Sequence, residues 1–328
     1  MIITKTPLRI SIGGGGTDLP FFYPNYGAAI TTTSINKYVY VTVSPRNFRD
    51  EFRIAYSKTE HVRKVEDIEN DRVRAALQFL NITEPLEITT ASDVPGQSGL
   101  GSSSAFLVGL LKALHLYKGE HVSPKLLAEE AAHIEIEILK EPIGKQDQYA
   151  CAYGGFIHLN ISKTGNVLVS PINISNETLK DLENNLYMFY TGVQRSASEV
   201  LKDQAKEAIS DEEKMNSMLQ IKEIGLEIKK ALESNNARRF GEWMNLHWEE
   251  KRKMSSKMSS SKIDQWYEIG IKNGAIGGKI MGAGGGGFLL FYTERRGSEF
   301  IKAMQEAGLS FVPFKFDFEG AKLVYGGM

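Results

Sequence analysis

Residues 93–105, DVPGQSGLGSSSA, place Gly96, Gly99 and Gly101 ahead of three successive serines. Glycines let a backbone approach a ligand closely, and hydroxyls can meet phosphate oxygens or a metal ion. Yet the stretch has no lysine and lacks the G-x-x-x-x-G-K-[ST] spacing of a Walker loop. A helix starting at these serines would remove the difficulty. Its first turn carries free N–H groups and the positive end of the helix dipole, enough to hold a phosphate. The alternative is a plain serine cap, which needs one serine and fewer glycines. Of the 31 glycines, 14 fall in three short segments, 13–16, 96–101 and 277–287. Three clusters so far apart in one chain point to backbone converging on a ligand rather than to ordinary turns.

The flanking sequence supplies elements able to position these loops. Residues 2–12 alternate and end in the β run LRISI before the first glycine cluster. Residues 28–43, rich in Thr, Ile, Val and Tyr, read as strands, as do 51–57 and 85–95, the last running into the serine-rich loop. Residues 70–80 read as a helix with Val73, Ala76, Leu77 and Leu80 on one face. A mostly apolar helix follows the serines, carrying Phe106, Leu107, Leu110, Leu111 and Leu114 and stopping at Gly119. Ser123 and Pro124 open a second helix, with Leu127, Ala131, Ile134 and Ile138 at helical spacing and Pro142 and Gly144 at its end. Strands are expected at 154–161 and 186–193, and long charged helices at 196–236 and 240–253. A helix over 263–273 leads into the third glycine cluster and a strand; a helix near 297–308 and a strand near 311–318 close the chain. The order predicts two α+β domains.

The composition of the 328 residues narrows the function classes. A formal net charge of −1 gives no field for nucleic acid or an anionic membrane. No run of 18 apolar residues suggests a membrane span, and the N-terminus lacks the apolar core of a signal peptide. The single cysteine, Cys151, rules out an intrachain disulfide framework, so a cytoplasmic location is expected.

VPGQSGLGSSSA resembles the second motif of the GHMP kinases (galactokinase, homoserine kinase, mevalonate kinase and phosphomevalonate kinase), roughly P-x-x-x-G-L-G-S-S-A-A, with Ser104 where alanine is usual. PLRISIGGGGTD at 7–18 and GGKIMGAGGGGFLLF at 277–291 resemble the first and third motifs, in order. The resemblance implies an α+β, two-domain fold. An ATP-binding N-terminal domain like domain 2 of ribosomal protein S5 would span 1–175, and a ferredoxin-like C-terminal domain 176–328. It implies that ATP rests its phosphates on Pro95, Gly96, Gly99, Leu100, Gly101, Ser102, Ser103 and Ser104. Asp147, in PIGKQDQYA, matches the stretch around the catalytic aspartate, and Arg9 stands where the first motif carries a cation near that carboxylate. Outside the resemblance Asp147 would read as a helix cap and Arg9 as a surface residue closing a strand. Magnesium is implied at Ser103 and Glu135; Glu137 competes, but lies about 200° around the helix, so both cannot face one ion.

At 13–22, GGGGTDLPFF departs from the G-E-H-T-D-Y of galactokinases and resembles the heptose branch of sugar-1-kinases. Gly15, Gly16, Thr17 and Asp18 are then expected on the sugar, with Gly284 and Gly285 of the third motif closing from the other domain. The branch implies D-glycero-D-manno-heptose 7-phosphate as acceptor at its anomeric oxygen, for activated heptose and surface polysaccharide. A remote phosphate asks for an extra cation. Arg195, with Ser196 between a strand and a helix, is the leading choice. The run Lys251, Arg252, Lys253 reads rather as a solvated face, Lys37 is a weaker option, and His247 and Trp248 read as helix packing. The alternatives are a fucokinase-like enzyme on a free sugar, a non-catalytic sugar and ATP sensor, and an RNA-binding protein on the S5-type fold, disfavoured by the charge. The partner expected is a small sugar phosphate; oligomeric state is open, a homodimer being one option.

Overall fold

The computed structural model describes residues 1–194, 197–255 and 258–326. In chain order the elements begin with β1 (Ile2–Gly13), α1 (Tyr23–Tyr26), β2 (Ala28–Pro45), β3 (Phe52–Ala55), β4 (Thr59–Val62), α2 (Asp71–Phe79) and β5 (Leu86–Ser92). Next come α3 (Ser102–Tyr117), α4 (Pro124–Ala132), α5 (Gln146–Tyr153), β6 (Phe156–Ile161), β7 (Val167–Pro171), α6 (Asn176–Asn185) and β8 (Leu186–Tyr190). Helices α7 (Ala197–Ser210), α8 (Glu212–Glu233), α9 (Ala237–Lys253) and α10 (Ser261–Lys272) lead to β9 (Gly277–Ile280), β10 (Phe288–Tyr292) and α11 (Gly297–Glu306). The chain closes on β11 (Ser310–Phe311), β12 (Phe316–Asp317) and β13 (Lys322–Tyr325).

Among the described residues nine strands form the first sheet, with the path β13-β1-β2-β5-β3-β4; β6 and β12 also pair with β2, and β7 with β6. Its pairings are antiparallel except β3 with β5. Strand β2 spans 18 residues because its β-branched and aromatic side chains sustain an extended chain, and so it serves four neighbours. The apolar α3 lies buried against β1 and β2. The second sheet is antiparallel, in the order β11-β8-β10-β9. Its succession of strand, helices, two strands, helix and strand is the split βαβ arrangement. All strands of this sheet follow residue 175, but β12 and β13 return to the first sheet.

Several boundaries differ from the sequence-based expectations for physical reasons. The stretch expected as one helix over 196–236 breaks at Asp211, which caps α8 by accepting from the backbone N–H groups of Glu213 and Lys214. The final strand expected near 311–318 is two short pairings in different sheets. Helix α5 and strands β4, β7 and β9 were hidden in segments with turn-like or mixed composition. The second helix starts as expected, with the Ser123 side chain accepting from Leu126 N–H, but its period fails after Ala132. Residues His133–Ile138 form a wide π-type turn in which Leu139 N–H reaches the Ile134 carbonyl. The wide turn shifts the helix phase. Leu127, Ala131 and Ile134 are buried as the spacing predicts, Ile138 is turned out to solvent, and Glu135 is turned in.

Candidate active site

Strand β1 carries Arg9 into the interior, paired in register opposite Ser34 of β2. Helix α5 begins at Gln146, so Asp147 sits in its first turn, where the dipole favours a carboxylate. The two meet as a fork: Arg9 Nε donates to Asp147 Oδ1 at 2.7 Å and Nη2 to Oδ2 at 2.6 Å. Arg9 Nη1 donates to the Gly99 carbonyl at 2.6 Å, and its backbone N–H to the Leu100 carbonyl at 3.0 Å. Burial alone would lower the pKa of Arg9; the Asp147 carboxylate outweighs it and raises it. The guanidinium stays charged and fixes the Asp147 carboxyl group through both of its oxygens. Arg9 is therefore no surface arginine.

The serine-rich loop ends in a left-handed Gly101, and α3 starts at Ser102 with no side chain over its first turn. Gly99, Gly101, Ser102, Ser103 and Ser104 line a cavity of about 370 Å³ together with Arg9 and Asp147. Pro95 and Gly96 lie exposed before it and Leu100 is buried beneath it; none of the three lines the cavity.

Asp18 also lines the cavity, buried, its Oδ2 accepting from Gln146 N–H at 2.8 Å and its Oδ1 from Gly16 N–H at 3.3 Å. Burial, with the nearby Asp147 charge, pushes the Asp18 carboxyl above its usual range. Gly144 must lack a side chain here, since a Cβ would stand 2.1 Å from Asp18 Oδ2. Gly15 and Gly16 line the cavity, and Gln204 Nε2 fills the space beside Gly16, 3.0 Å from where a Cβ would be. Thr17 does not face the cavity; its hydroxyl donates to the Gly14 carbonyl at 2.7 Å within the turn.

Glu135, brought inward by the wide turn, also lines the cavity. Its Oε1 accepts from Arg72 Nε at 3.1 Å, and its Oε2 from Ser104 Oγ at 2.7 Å and Gln148 Nε2 at 2.6 Å. Burial pushes the Glu135 carboxyl up despite Arg72. The serine that meets Glu135 is thus Ser104, the one that departs from the family pattern, while Ser103 is exposed at the helix start. Oε1 accepts from Arg72 and keeps a second lone pair, and the Ser103 hydroxyl lines the same cavity, so the two would offer a carboxylate and a hydroxyl oxygen to magnesium. Among the described residues no group of three or more His, Cys, Asp and Glu side chains is placed to hold a metal alone. Glu137 faces solvent and pairs with Lys140 at 3.6 Å.

The third glycine cluster lies directly against the second. Gly282, at φ +73°, packs so closely on Gly99 that a Cβ would stand 2.6 Å from the Gly99 Cα. Gly282 and Ala283 line the cavity; Gly284 and Gly285 pack on Met258 instead, Gly285 N–H donating to its carbonyl at 2.9 Å. Arg195 and Ser196 lie outside the described residues. Lys37 does not line the cavity, and Trp248 is buried in the second core as expected of packing. The basic run divides: Arg252 pairs with Asp264 and Lys253 with Glu250, but Lys251 is buried and lines the cavity. Sequence reasoning also missed Arg72, Gln146 and Gln204. Helix 70–80 showed only its apolar face, Gln146 stands beside Asp147 without a signal of its own, and Gln204 lies on a charged helix. Among the described residues no helix is long and apolar enough to cross a membrane.

Two family models match the chain, the GHMP kinases N terminal domain over residues 70–155 and the GHMP kinases C terminal domain over 228–309. The chain is 30% identical over 337 residues to a D-glycero-alpha-D-manno-heptose 7-phosphate kinase of Campylobacter jejuni, covering 98% of each protein. It is 22% identical to an L-fucokinase/L-fucose-1-P guanylyltransferase of Bacteroides fragilis, over 87% of this chain and 34% of that one. A crystal structure of a D-glycero-D-manno-heptose 1-phosphate kinase of Bacteroides thetaiotaomicron superposes with a TM-score of 0.81 at 26% identity, covering 99% of this chain and 100% of that one.

Proposed function

We propose that this chain, which belongs to the GHMP kinase family and is a sugar kinase, transfers the γ-phosphoryl group of ATP to the anomeric hydroxyl of D-glycero-D-manno-heptose 7-phosphate, giving the 1,7-bisphosphate. Such a product suits the synthesis of nucleotide-activated heptose for surface polysaccharide. The observation that carries the reading is the Arg9–Asp147 fork set against the uncapped start of α3 in one cavity.

The ATP phosphates rest on the N–H groups and hydroxyls at Gly99, Gly101 and Ser102–Ser104, where the helix dipole favours negative charge. The sugar lies toward Asp18, Gln146 and Gln204, with its anomeric hydroxyl at Asp147. The hydroxyl oxygen forms a bond to the γ-phosphorus as the bond from that phosphorus to the β–γ bridging oxygen breaks, and ADP leaves. A loose transition state asks for little proton abstraction early, so Asp147 first orients the hydroxyl and takes its proton late. Arg9 orients Asp147 through its two hydrogen bonds. Magnesium, held by Ser103 and Glu135, would neutralise charge on the phosphate oxygens.

The test is ADP release with Mg-ATP against D-glycero-D-manno-heptose 7-phosphate, mannose, fucose, galactose and mevalonate, with Asp147→Asn alongside. Turnover is expected on the heptose phosphate alone, and should fall by about 10²–10⁴-fold in the variant. Preferred turnover of free fucose would replace the acceptor with a fucokinase-like one. Binding of ATP and sugar with no turnover would leave a sensor.

A further inference from the structure

Among the described residues three cationic side chains line the cavity, Arg9, Arg72 and Lys251. Arg9 is committed to Asp147, and Arg72 to Glu135 and Glu141. Lys251 is the exception. Its ammonium donates to the Gly282 carbonyl at 2.5 Å, and among the described residues it has no carboxylate within ion-pair distance. It is 5% exposed, although the next two residues of α9 face solvent. Near it lie Lys279 and His247, both buried, and among the described residues Lys279 Nζ and both His247 ring nitrogens have no hydrogen-bond partner. A desolvated ammonium with one neutral acceptor is costly unless an anion completes it.

The position matters as much as the missing partner. Arg9 holds the Gly99 carbonyl from the first domain and Lys251 holds the Gly282 carbonyl from the other side, and Gly99 and Gly282 are the residues in backbone contact. The two cations therefore flank the point where the phosphate loop meets the third glycine cluster. Burial, with the Arg9 cation, lowers the Lys251 pKa to about 8, while the Asp18 and Asp147 carboxylates act to raise it.

We propose that Lys251 is the phosphate anchor of the second glycine-rich half of the site, its ammonium binding a phosphoryl oxygen of the reacting molecules. The proposal rests on the phosphoryl-transfer reading above. The shared chemistry has two sources, the group in transfer from ATP and the phosphate already on the acceptor, and kinetics separates them. Lys251→Met keeps the length and removes the charge, Lys251→Arg restores a cation, and exposed Lys253→Gln serves as control.

With Mg-ATP and the heptose phosphate varied in turn, Lys251→Met is expected to lose about 100-fold in kcat/KM, and Lys251→Arg to recover about tenfold of it. A fall in kcat with both KM values kept assigns Lys251 to the group in transfer. An acceptor KM raised about tenfold or more, with the ATP KM kept, assigns it to the acceptor's own phosphate. A folded Lys251→Met with kcat and both KM values within about threefold of the parent overturns the proposal. Lys251→Gln repeats the test should the methionine variant not fold.

If the parent instead uses a free sugar, the same comparison runs on that sugar, where a fall in kcat supports the anchor and unchanged kcat overturns it. If no acceptor is turned over, calorimetry with Mg-ATP and with inorganic phosphate decides. Weaker binding of either by Lys251→Met supports the anchor and equal binding refutes it, independently of the acceptor.

Discussion

Gly282→Ala perturbs the contact on which the site geometry depends. The backbone there stands at φ +73°, so a Cβ costs about 1 kcal/mol in the left-handed region alone. The same Cβ would lie 2.6 Å from the Gly99 Cα and 2.7 Å from the Gly99 carbonyl oxygen, both backbone atoms with no side chain to swing away. Restoring ordinary carbon–carbon contact requires the two loops to part by roughly 1 Å. That shift moves the carbonyl on which Arg9 Nη1 rests, and with it the Arg9–Asp147 fork and the start of α3. A misplacement of about 1 Å can cost on the order of 10²-fold in rate. Gly308→Ala is the control: Gly308 has φ +92° but nothing within 4 Å of its Cβ position. Initial-rate kinetics on the acceptor that the parent uses, with urea unfolding alongside, should show Gly308→Ala losing about 1 kcal/mol of stability and Gly282→Ala at least as much. Only Gly282→Ala should lose about 100-fold in kcat/KM for ATP. A folded Gly282→Ala keeping more than about a third of the parent kcat/KM would refute the idea that this contact sets the catalytic geometry.

Two further perturbations probe the supports. Arg72→Met leaves Glu135 buried without its cation and should cost about 3 kcal/mol in urea unfolding, while the double variant Arg72→Met/Glu135→Gln recovers much of it; equal losses in the two would rule out a coupled pair. His115 is held between Glu130 at 2.8 Å and Glu120 at 2.7 Å; burial alone would lower its pKa, but these partners raise it. Its contribution to stability is therefore complete below the ordinary imidazole value of about 6.5 and is lost as pH rises through the raised one. The Tm gap between the parent and His115→Gln should be widest near pH 6, about 2 °C or more, and should narrow toward pH 9. A gap independent of pH would show that the contribution is packing alone.

The sequence by itself carried the local determinants. Glycines 99 and 101 before Ser102 announce a helix start free for an anion because backbone conformation and capping are decided within a few residues. The apolar run of α3 and the β-branched run of β2 announced their elements for the same reason, and motif order carried the family. Strength of local signal also explains the losses. The wide turn at 133–138 has no composition cue, so the exposure of Ile138 and the inward turn of Glu135 were out of reach.

Tertiary structure alone decided which charges are partners. Arg9 and Asp147 are 138 residues apart, and only the packing of α5 against β1 makes them a fork. Ser104 rather than Ser103 meets Glu135 because the helix start presents one hydroxyl inward and the other to solvent. Lys251, Arg252 and Lys253 are three equivalent cations in sequence. The facing of α9 buries the first in the cavity and leaves the other two in water, because a helix turns about 100° per residue and its neighbours cover only one side.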